Sequence, residues 1–175
     1  NETPEISLEE TTAEANNSTQ EDSPPPEVVN PGNNTLHGRD GDDTLIGSST
    51  QNMIYGGIGQ DFIFGAAGDD KLFGEDGNDT LAGGVGNDSI DGGEGTDTVS
   101  YFDANSAIVN LRGATNGTGN VDYLSTTYTD KLYSIENVIG SAGDDTIQGN
   151  DSDNILDGAG GVNTVSYSTA AAGVT

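Results

Sequence analysis

Aspartate recurs at a fixed spacing through the middle of the chain. Six of these residues lie nine or eighteen positions apart: Asp43, Asp61, Asp70, Asp79, Asp88 and Asp97. Regularly spaced carboxylates can bind a hard cation, or two of them can act as the acid and base of glycoside hydrolysis. Adjacent pairs such as Asp42–Asp43 fit the second chemistry, but they recur at one phase of a repeat. That recurrence favours a structural turn over a catalytic pair.

The aspartates belong to a nine-residue repeat. Residues 29–100 divide into eight nonapeptides without an insertion. Position one is glycine in seven of the eight repeats, and position four is glycine in seven, with a different exception at each position. Position six is Asp or Asn. Position eight is aliphatic in all repeats: Leu36, Leu45, Ile54, Ile63, Leu72, Leu81, Ile90 and Val99. A constant period of this kind indicates a repeat architecture.

The pattern predicts strands and turns rather than helices. One aliphatic residue in nine cannot form the apolar face of a helix, which needs three or four such positions in two turns. Positions seven to nine therefore predict a short strand, and the Gly-rich residues before them predict a tight turn. Two nonapeptides then form one coil. The predicted fold is all-β, a parallel β-roll (β-solenoid) of stacked nonapeptide repeats with a β-hairpin-like insert.

Stacking of the coils places the carboxylates close together. Repeats eighteen residues apart would lie about 4.8 Å from each other. Two carboxylates at that distance repel by roughly 3 kcal/mol at an effective dielectric of 20. The turns supply carboxylate and carbonyl oxygens, and the chain has no Cys. Oxygen ligands in a flexible turn suit a hard cation with six to eight ligands, so the sequence predicts several calcium ions.

The repeats resemble the RTX (hemolysin-type) calcium-binding nonapeptide GGxGxDxUx, in which U is aliphatic. The resemblance implies that position-six carboxylates and turn carbonyls share each ion with the next coil on the same side. The implied ligands are Asp43, Asp61, Asp70, Asp79, Asp88 and Asp97, the backbone oxygens of Gly57, Gly59, Gly84 and Gly86, and more weakly Asp145. It further implies type I secretion from a Gram-negative bacterium, and a module that folds on calcium outside the cell or at its surface.

The two sides of the predicted roll differ in charge. Even-numbered repeats carry the even ladder of Asp43, Asp61, Asp79 and Asp97. Odd-numbered repeats carry the odd ladder of Asn34, Asn52, Asp70 and Asp88. Asn keeps an oxygen but lacks the charge. We therefore expect four well-formed ions, three between even repeats and one between Asp70 and Asp88, with weaker binding near the two asparagines.

Four segments follow from changes in composition and period. Residues 1–28 predict a disordered acidic linker, since they carry eight acids, no base and three consecutive prolines. Residues 29–100 are the β-roll, and 101–130 predict a non-repeat β insert. Residues 131–175 form a second, degenerate and truncated repeat block, with position six occupied by Glu136, Asp145, Asn154 and Asn163. The chain begins without Met, which suggests a processed product or a fragment.

Composition excludes several classes of function. A net charge of −26, with four basic residues, argues against nucleic-acid binding, and no apolar run is long enough to span a membrane. His37 is the only histidine, and no HExxH or phosphate-loop motif occurs, so we predict no active site and no enzyme. The predicted partners are calcium ions, flanking domains or further repeat units. Alternatives are an adhesin or carbohydrate-binding segment, or an auxiliary module of a polysaccharide-modifying enzyme.

Overall fold

The computed structural model describes residues 11–14, 32–112, 117–123 and 126–167, which form sixteen strands and no helix. The strands are β1 (Thr11–Glu14), β2 (Asn34–Asp40), β3 (Thr44–Ile46), β4 (Met53–Ile58), β5 (Phe62–Ala67), β6 (Lys71–Gly77), β7 (Thr80–Val85), β8 (Ser89–Gly95), β9 (Thr98–Ser100), β10 (Ser106–Asn110), β11 (Gly117–Tyr123), β12 (Thr126–Tyr133), β13 (Asn137–Ile139), β14 (Thr146–Gln148), β15 (Leu156–Asp157) and β16 (Thr164–Ser166). Within these residues no helix could span a membrane.

The strands build two sheets that face each other. Sheet A has the order β1-β2-β4-β6-β8-β12-β11-β10-β14-β16, and sheet B has the order β15-β13-β9-β7-β5-β3. From β2 to β9 the chain alternates between them, so odd repeats lie in sheet A and even repeats in sheet B. Neighbouring strands are parallel with an eighteen-residue offset, as in Leu36↔Ile54 and Leu45↔Ile63. The predicted all-β class and parallel β-roll are confirmed.

The core consists of the position-eight side chains from both sheets. From Leu36 to Val99 none of them is more than 4% exposed, because the strand pleat turns each one inward. Full burial of one such side chain contributes about 1.5–3 kcal/mol. A core with one residue per nonapeptide is nevertheless thin, and at the last coil Val165 is 44% exposed. The stability of the roll must therefore draw on the turns as well.

Position two of the turn adopts a left-handed backbone. In the second block a positive φ occurs at this position at Ala159, and in residues 29–100 it occurs in six repeats: Arg39, Gly57, Ala66, Glu75, Gly84 and Gly93. Only glycine adopts this conformation without a steric penalty, which is about 1–2 kcal/mol for other residues. The turns with a non-glycine residue there are therefore strained.

Three strands interrupt the alternation after β9. β10 pairs antiparallel with β11, and β11 pairs antiparallel with β12. The end of β12 continues sheet A by pairing parallel with β8, with Lys131 opposite Ser89. In sheet B, β13 pairs directly with β9. The insert thus adds strands to one sheet only.

The predicted segment boundaries at 28, 100 and 130 stay predictions. Most of the predicted linker, residues 1–10 and 15–28, lies outside the described residues, as do 168–175 of the second block. The short strand β1 falls within the linker segment and pairs parallel with β2.

Aromatic side chains follow the same register on the outer faces. His37 stacks on Tyr55 with a centroid separation of 4.8 Å, and Tyr55 stacks on Phe73 at 4.9 Å. These separations equal the spacing between strands. On the other face Phe102 of the insert packs against Phe64 at 5.3 Å. Regular stacking of the coils therefore accounts for these aromatic positions.

Candidate metal centre

The position-six carboxylates stand immediately before the strands and are buried. Each of the six predicted aspartates is at most 3% exposed. Five of the six accept, at Oδ1, a hydrogen bond from the backbone N–H of the residue eighteen positions earlier: Asp61, Asp70, Asp79, Asp88 and Asp97. In the even ladder Asp43 donates to Asp61 at 2.8 Å, and Asp61 donates to Asp79 at 2.8 Å. In the odd ladder Asp70 donates to Asp88 at 2.8 Å. These bonds link the even ladder without a break from Asp43 to Asp97, and the odd ladder from Asn52 to Asp88.

The second oxygen of each of these carboxylates has no hydrogen-bond partner. This holds for Oδ2 of all six predicted aspartates: Asp43, Asp61, Asp70, Asp79, Asp88 and Asp97. A buried polar group without a partner costs about 1–3 kcal/mol, and more when it is charged. Six such atoms in the same arrangement point to one type of ligand that each of them could bind.

Each orphaned oxygen faces a small cradle above a position-one glycine. A Cβ atom added to Gly56 would lie 2.3 Å from Oδ2 of Asp61 and 2.7 Å from the carbonyl oxygen of Gly74 in the next coil. On the odd side a Cβ on Gly65 would meet Oδ2 of Asp70 at 2.5 Å. Carboxylate and carbonyl oxygens thus converge where glycine leaves space. Any side chain at position one would fill it.

Burial raises the pKa of aspartates in both ladders. Desolvation raises the pKa of Asp61 and Asp97 to about 6, of Asp88 to about 7, and of Asp70 to about 8. Hydrogen bonds from backbone N–H groups oppose the shift, and neighbouring carboxylates such as Asp79 beside Asp61 add to it. Because the charged form is disfavoured without a counter-charge, a cation bound at these oxygens would be favourable.

The donor set fits calcium. Its atoms are hard oxygens from carboxylates and carbonyls, which calcium accepts in irregular geometry. Within the described part of the chain, no three acidic, His or Cys side chains come together as a metal-binding group. Each interface between coils instead offers two carboxylates together with glycine carbonyls. When bound, calcium would supply the positive charge that the buried carboxylates lack.

The four glycines that the sequence predicted as ligands do not occupy position one of the turn, whose carbonyl oxygens border the carboxylates. Gly57 and Gly84 occupy position two, with φ of +118° and +91°. Gly59 and Gly86 occupy position four and lie directly over carbonyls of the preceding coil. The carbonyl that borders the orphaned Asp61 oxygen belongs to Gly74, which the sequence reasoning did not name. The assignment of the four predicted glycines as ligands stays a prediction.

Asp145 differs from the six ladder aspartates because its carboxylate is already satisfied. Oδ2 accepts a hydrogen bond from the Ser141 N–H at 2.9 Å, and Oδ1 accepts one from the Ser141 hydroxyl at 2.7 Å. The Ala107 N–H adds a third bond to Oδ1 at 2.6 Å. Ser141 thus supplies hydrogen bonds to both oxygens of this carboxylate, and the role of Asp145 as a weaker ligand stays a prediction.

Asparagine rungs close their own turns. The Nδ2 atom of Asn52 donates to the Thr50 carbonyl at 2.6 Å and to the Ser48 hydroxyl at 3.2 Å. Asn163 likewise donates to the Gly160 carbonyl at 2.7 Å. In these turns an amide N–H contacts carbonyl or hydroxyl oxygens of its own turn. Such turns need no cation to satisfy their polar groups.

Sequence reasoning missed Asp130, which occupies the rung after Asp88. Asp130 is fully buried, and its Oδ1 accepts a hydrogen bond from the Asp88 N–H at 2.9 Å. The segment TDKLY at residues 129–133 resembles DDKLF at residues 69–73. That local similarity could have identified the rung, although the nine-residue count restarts elsewhere.

Sequence reasoning also missed a set of hydrogen bonds between coils that the position-five side chains make. Oδ1 of Asp42 accepts a hydrogen bond from the Gln60 N–H at 2.8 Å, and Oδ1 of Asp69 accepts one from the Asn87 N–H at 2.9 Å. These exposed side chains reach toward the following coil, whereas position six reaches toward the preceding one. The signal was a polar residue at position five in every repeat. Asp42 therefore has a structural role beside Asp43, which explains the adjacent acid pairs.

Comparison with known proteins gives one family. The description "RTX calcium-binding nonapeptide repeat (4 copies)" matches residues 29–63, 64–99 and 134–165, more than half of the chain. No curated protein matches it. Among solved structures, the solution structure of the AlgE6R3 subunit from the Azotobacter vinelandii mannuronan C5-epimerase is 24% identical over 55% of this chain and 72% of that chain, with a TM-score of 0.23. That score is too low for a detailed comparison of the two folds.

Proposed function

The chain belongs to the RTX calcium-binding nonapeptide repeat family, and from that premise we propose that it is a structural module that binds several calcium ions and folds when they are supplied. The single observation that carries the proposal is the set of six buried aspartates whose Oδ2 atoms have no hydrogen-bond partner. The role of a structural module is to adopt and hold its folded state, and this role requires no active site.

We place the ions between successive rungs of each ladder. Three interfaces pair Asp43 with Asp61, Asp61 with Asp79, and Asp79 with Asp97. A fourth pairs Asp70 with Asp88 on the other side. In each pair, one backbone N–H is already bound to the neighbouring carboxylate, which fixes the rung and leaves Oδ2 available. Position-one carbonyls such as that of Gly74 would complete the set of oxygens.

Magnitudes support coupling between binding and folding. A site whose ligand is present at ten times its Kd stabilises the folded state by about 1.4 kcal/mol. Four such sites would contribute about 6 kcal/mol, similar to the whole stability of a small domain. At calcium far below Kd the same sites contribute nothing, while the carboxylates still repel one another. With affinities of roughly 10⁻⁴ to 10⁻³ M, as in extracellular modules, calcium outside a cell would drive folding.

The setting that we propose is a larger protein exported by type I secretion from a Gram-negative bacterium. An acidic chain with a thin core and no Cys would remain unfolded where calcium is scarce, and would fold outside the cell or at its surface without disulfides. Its partners would be calcium ions and flanking domains or further repeats of the same protein. Any catalysis would belong to those other parts.

A calcium titration of the isolated chain tests the proposal. Circular dichroism in chelator should show little β signal, and calcium should induce it with a midpoint near 10⁻⁴ to 10⁻³ M. Magnesium at the same ionic strength is the control, because it demands octahedral geometry and dehydrates reluctantly. A chain that is equally rich in β-structure in chelator and in calcium would refute the proposal.

A further inference from the structure

Both carboxylate ladders continue across the insert. On the odd side, the Asp88 N–H donates to Oδ1 of Asp130 at 2.9 Å, and the Lys131 N–H donates to the Asp88 carbonyl at 2.8 Å. The same two bonds join consecutive repeats, as between Asp70 and Asp88. Asp130 therefore takes the place of the next position-six residue in the odd ladder, although it lies 42 residues after Asp88 instead of eighteen.

On the even side the next rung is a glutamate. Oε2 of Glu136 accepts a hydrogen bond from the Asp97 N–H at 2.8 Å. A Cβ atom added to Gly92 would meet the carbonyl oxygen of Ser134 at 2.2 Å and Oδ2 of Asp97 at 2.5 Å. This is the same cradle as in the regular repeats, with a carbonyl from beyond the insert in the place of the next glycine. The longer Glu side chain reaches Asp97 from a rung 39 residues away.

The junction contains orphaned oxygens that point to a ligand. Oδ2 of Asp88 and Oδ2 of Asp97 are buried without a hydrogen-bond partner, and these residues are 2% and 0% exposed. Oδ2 of Asp130 is also buried, with the Tyr101 hydroxyl as its neighbour. Here the insert joins sheet A, and Asp130 lies outside the residues that the family description matches.

We propose that the junction holds two further calcium sites, one between Asp97 and Glu136 and one between Asp88 and Asp130, and that they bind the insert and the second repeat block to the first. The proposal rests on the calcium-binding function proposed above and extends it to residues that the nine-residue pattern does not supply.

These sites would act on both ends of the insert. Tyr101, at its beginning, is 1% exposed within the core and lies beside Asp130, which is at its end. Calcium at the Asp88–Asp130 interface would therefore hold the two ends of the insert next to β8. The Asp97–Glu136 interface would hold β13 against β9 in sheet B.

Ion counting on the full 175-residue chain tests the proposal. Native mass spectrometry in calcium should show one ion fewer for Glu136→Gln, one fewer for Asp130→Asn, and two fewer for the double variant. Both substitutions keep an oxygen that can accept the backbone hydrogen bond, so the fold in excess calcium is expected to persist. Asp151→Asn removes one exposed acid nearby and should leave the count unchanged.

A second measurement uses the position of Tyr101. Terbium bound in place of calcium emits when a nearby tyrosine is excited. Tyr101→Phe should therefore reduce the emission, and Asp130→Asn should reduce it to a similar extent. This reading does not depend on whether a carboxylate variant folds poorly, because Tyr101→Phe leaves every ligand in place.

The two proposals fail in different ways. If the unmodified chain binds no calcium, the proposed function is wrong. If the unmodified chain binds calcium but its ion count is unchanged by Glu136→Gln and Asp130→Asn, and Tyr101→Phe leaves terbium emission unaltered, the junction sites are wrong and the ladder sites remain.

Discussion

Asp61 accepts a 2.8 Å hydrogen bond from the backbone N–H of Asp43 with Oδ1, while its Oδ2 atom accepts none. One carboxylate therefore serves two purposes. Oδ1 fixes the register between two coils, and Oδ2 remains available for a cation. Because the same division recurs in Asp70, Asp79, Asp88 and Asp97, register and cation binding are linked through a single side chain.

Loss of charge at Asp79 should weaken calcium-induced folding more than loss of charge at Asp145. Asp79→Asn keeps the Oδ1 acceptor but removes a charged ligand from two interfaces, with Asp61 and with Asp97. We expect the calcium midpoint for folding to rise about tenfold, equivalent to about 1.4 kcal/mol. Asp145→Asn should shift it little, because Ser141 already satisfies that carboxylate. Titrations followed by circular dichroism measure both midpoints.

Equal shifts for the two variants would mean that the position-six charge does not set the affinity. In that case backbone carbonyls would dominate binding.

Without calcium, the roll should be more stable in acid than at neutral pH. Burial raises the pKa of Asp61 and Asp97 to about 6, and of Asp70 to about 8, from the ordinary value of 3.8. Protons therefore bind the folded state more tightly. Their stabilising contribution is complete below pH 3.8 and is lost as the pH rises through 6 to 8. The β signal in circular dichroism, recorded in chelator at pH 4.5 and at pH 8, measures the difference and should be larger at pH 4.5.

In calcium the trend should reverse, because the cation binds the deprotonated carboxylates and competes with protons. Asp70→Asn is the matched variant. It should reduce the pH dependence in chelator, since it removes one of the groups with the largest shifts. Stability in chelator that rises from pH 4.5 to pH 8 would contradict the argument.

Asn52→Asp should create an additional cation site on the odd side. Asn52 Oδ1 and the Gly65 carbonyl already border the cradle at Gly47, at 2.5 and 2.3 Å from an added Cβ. The substitution would remove the amide donor to the Thr50 carbonyl and add a charge beside Asp70. We expect one more bound calcium ion in native mass spectrometry.

Asn52→Ala separates the two effects, since it also loses the amide but gains no charge. It should raise the calcium midpoint for folding without gaining an ion. An unchanged ion count for Asn52→Asp would show that the Ser-Ser-Thr turn cannot supply the remaining oxygens.

Substitutions at position two of the turn should change stability in opposite directions, depending on whether glycine is lost or gained. Gly57→Ala would place a Cβ 1.9 Å from the Arg39 carbonyl oxygen at φ +118°, so a loss of about 2 kcal/mol or more is expected. Glu75 has a φ of 75°, and Glu75→Gly should relieve about 1 kcal/mol of strain, partly offset by the entropy of glycine. Chemical denaturation in saturating calcium measures both changes. Stabilisation by Gly57→Ala would contradict this reading of the turn.

The fold and most of the candidate site could be predicted because the repeat is local. A strand turns every second side chain the same way, so one aliphatic residue at position eight, such as Ile63, identifies the core without further information. The unbroken period then implies the eighteen-residue neighbour, and with it the ladder from Asp43 to Asp97. The same counting assigned Asn52, which carries no charge, to the odd ladder.

Tertiary structure alone decided which residues meet where the period breaks. Asp130 neighbours Asp88 because the insert forms its own antiparallel strands and then returns to β8, and a count of nine does not carry across it. The satisfied state of Asp145 depends on the turn path that brings the Ser141 N–H to Oδ2 and the Ser141 hydroxyl to Oδ1. The pairing of carboxylate oxygens with glycine carbonyls depends on the path of each turn. A sequence period specifies neighbours only while every coil has the same length, and contacts beyond that limit are set by how the strands pair in space.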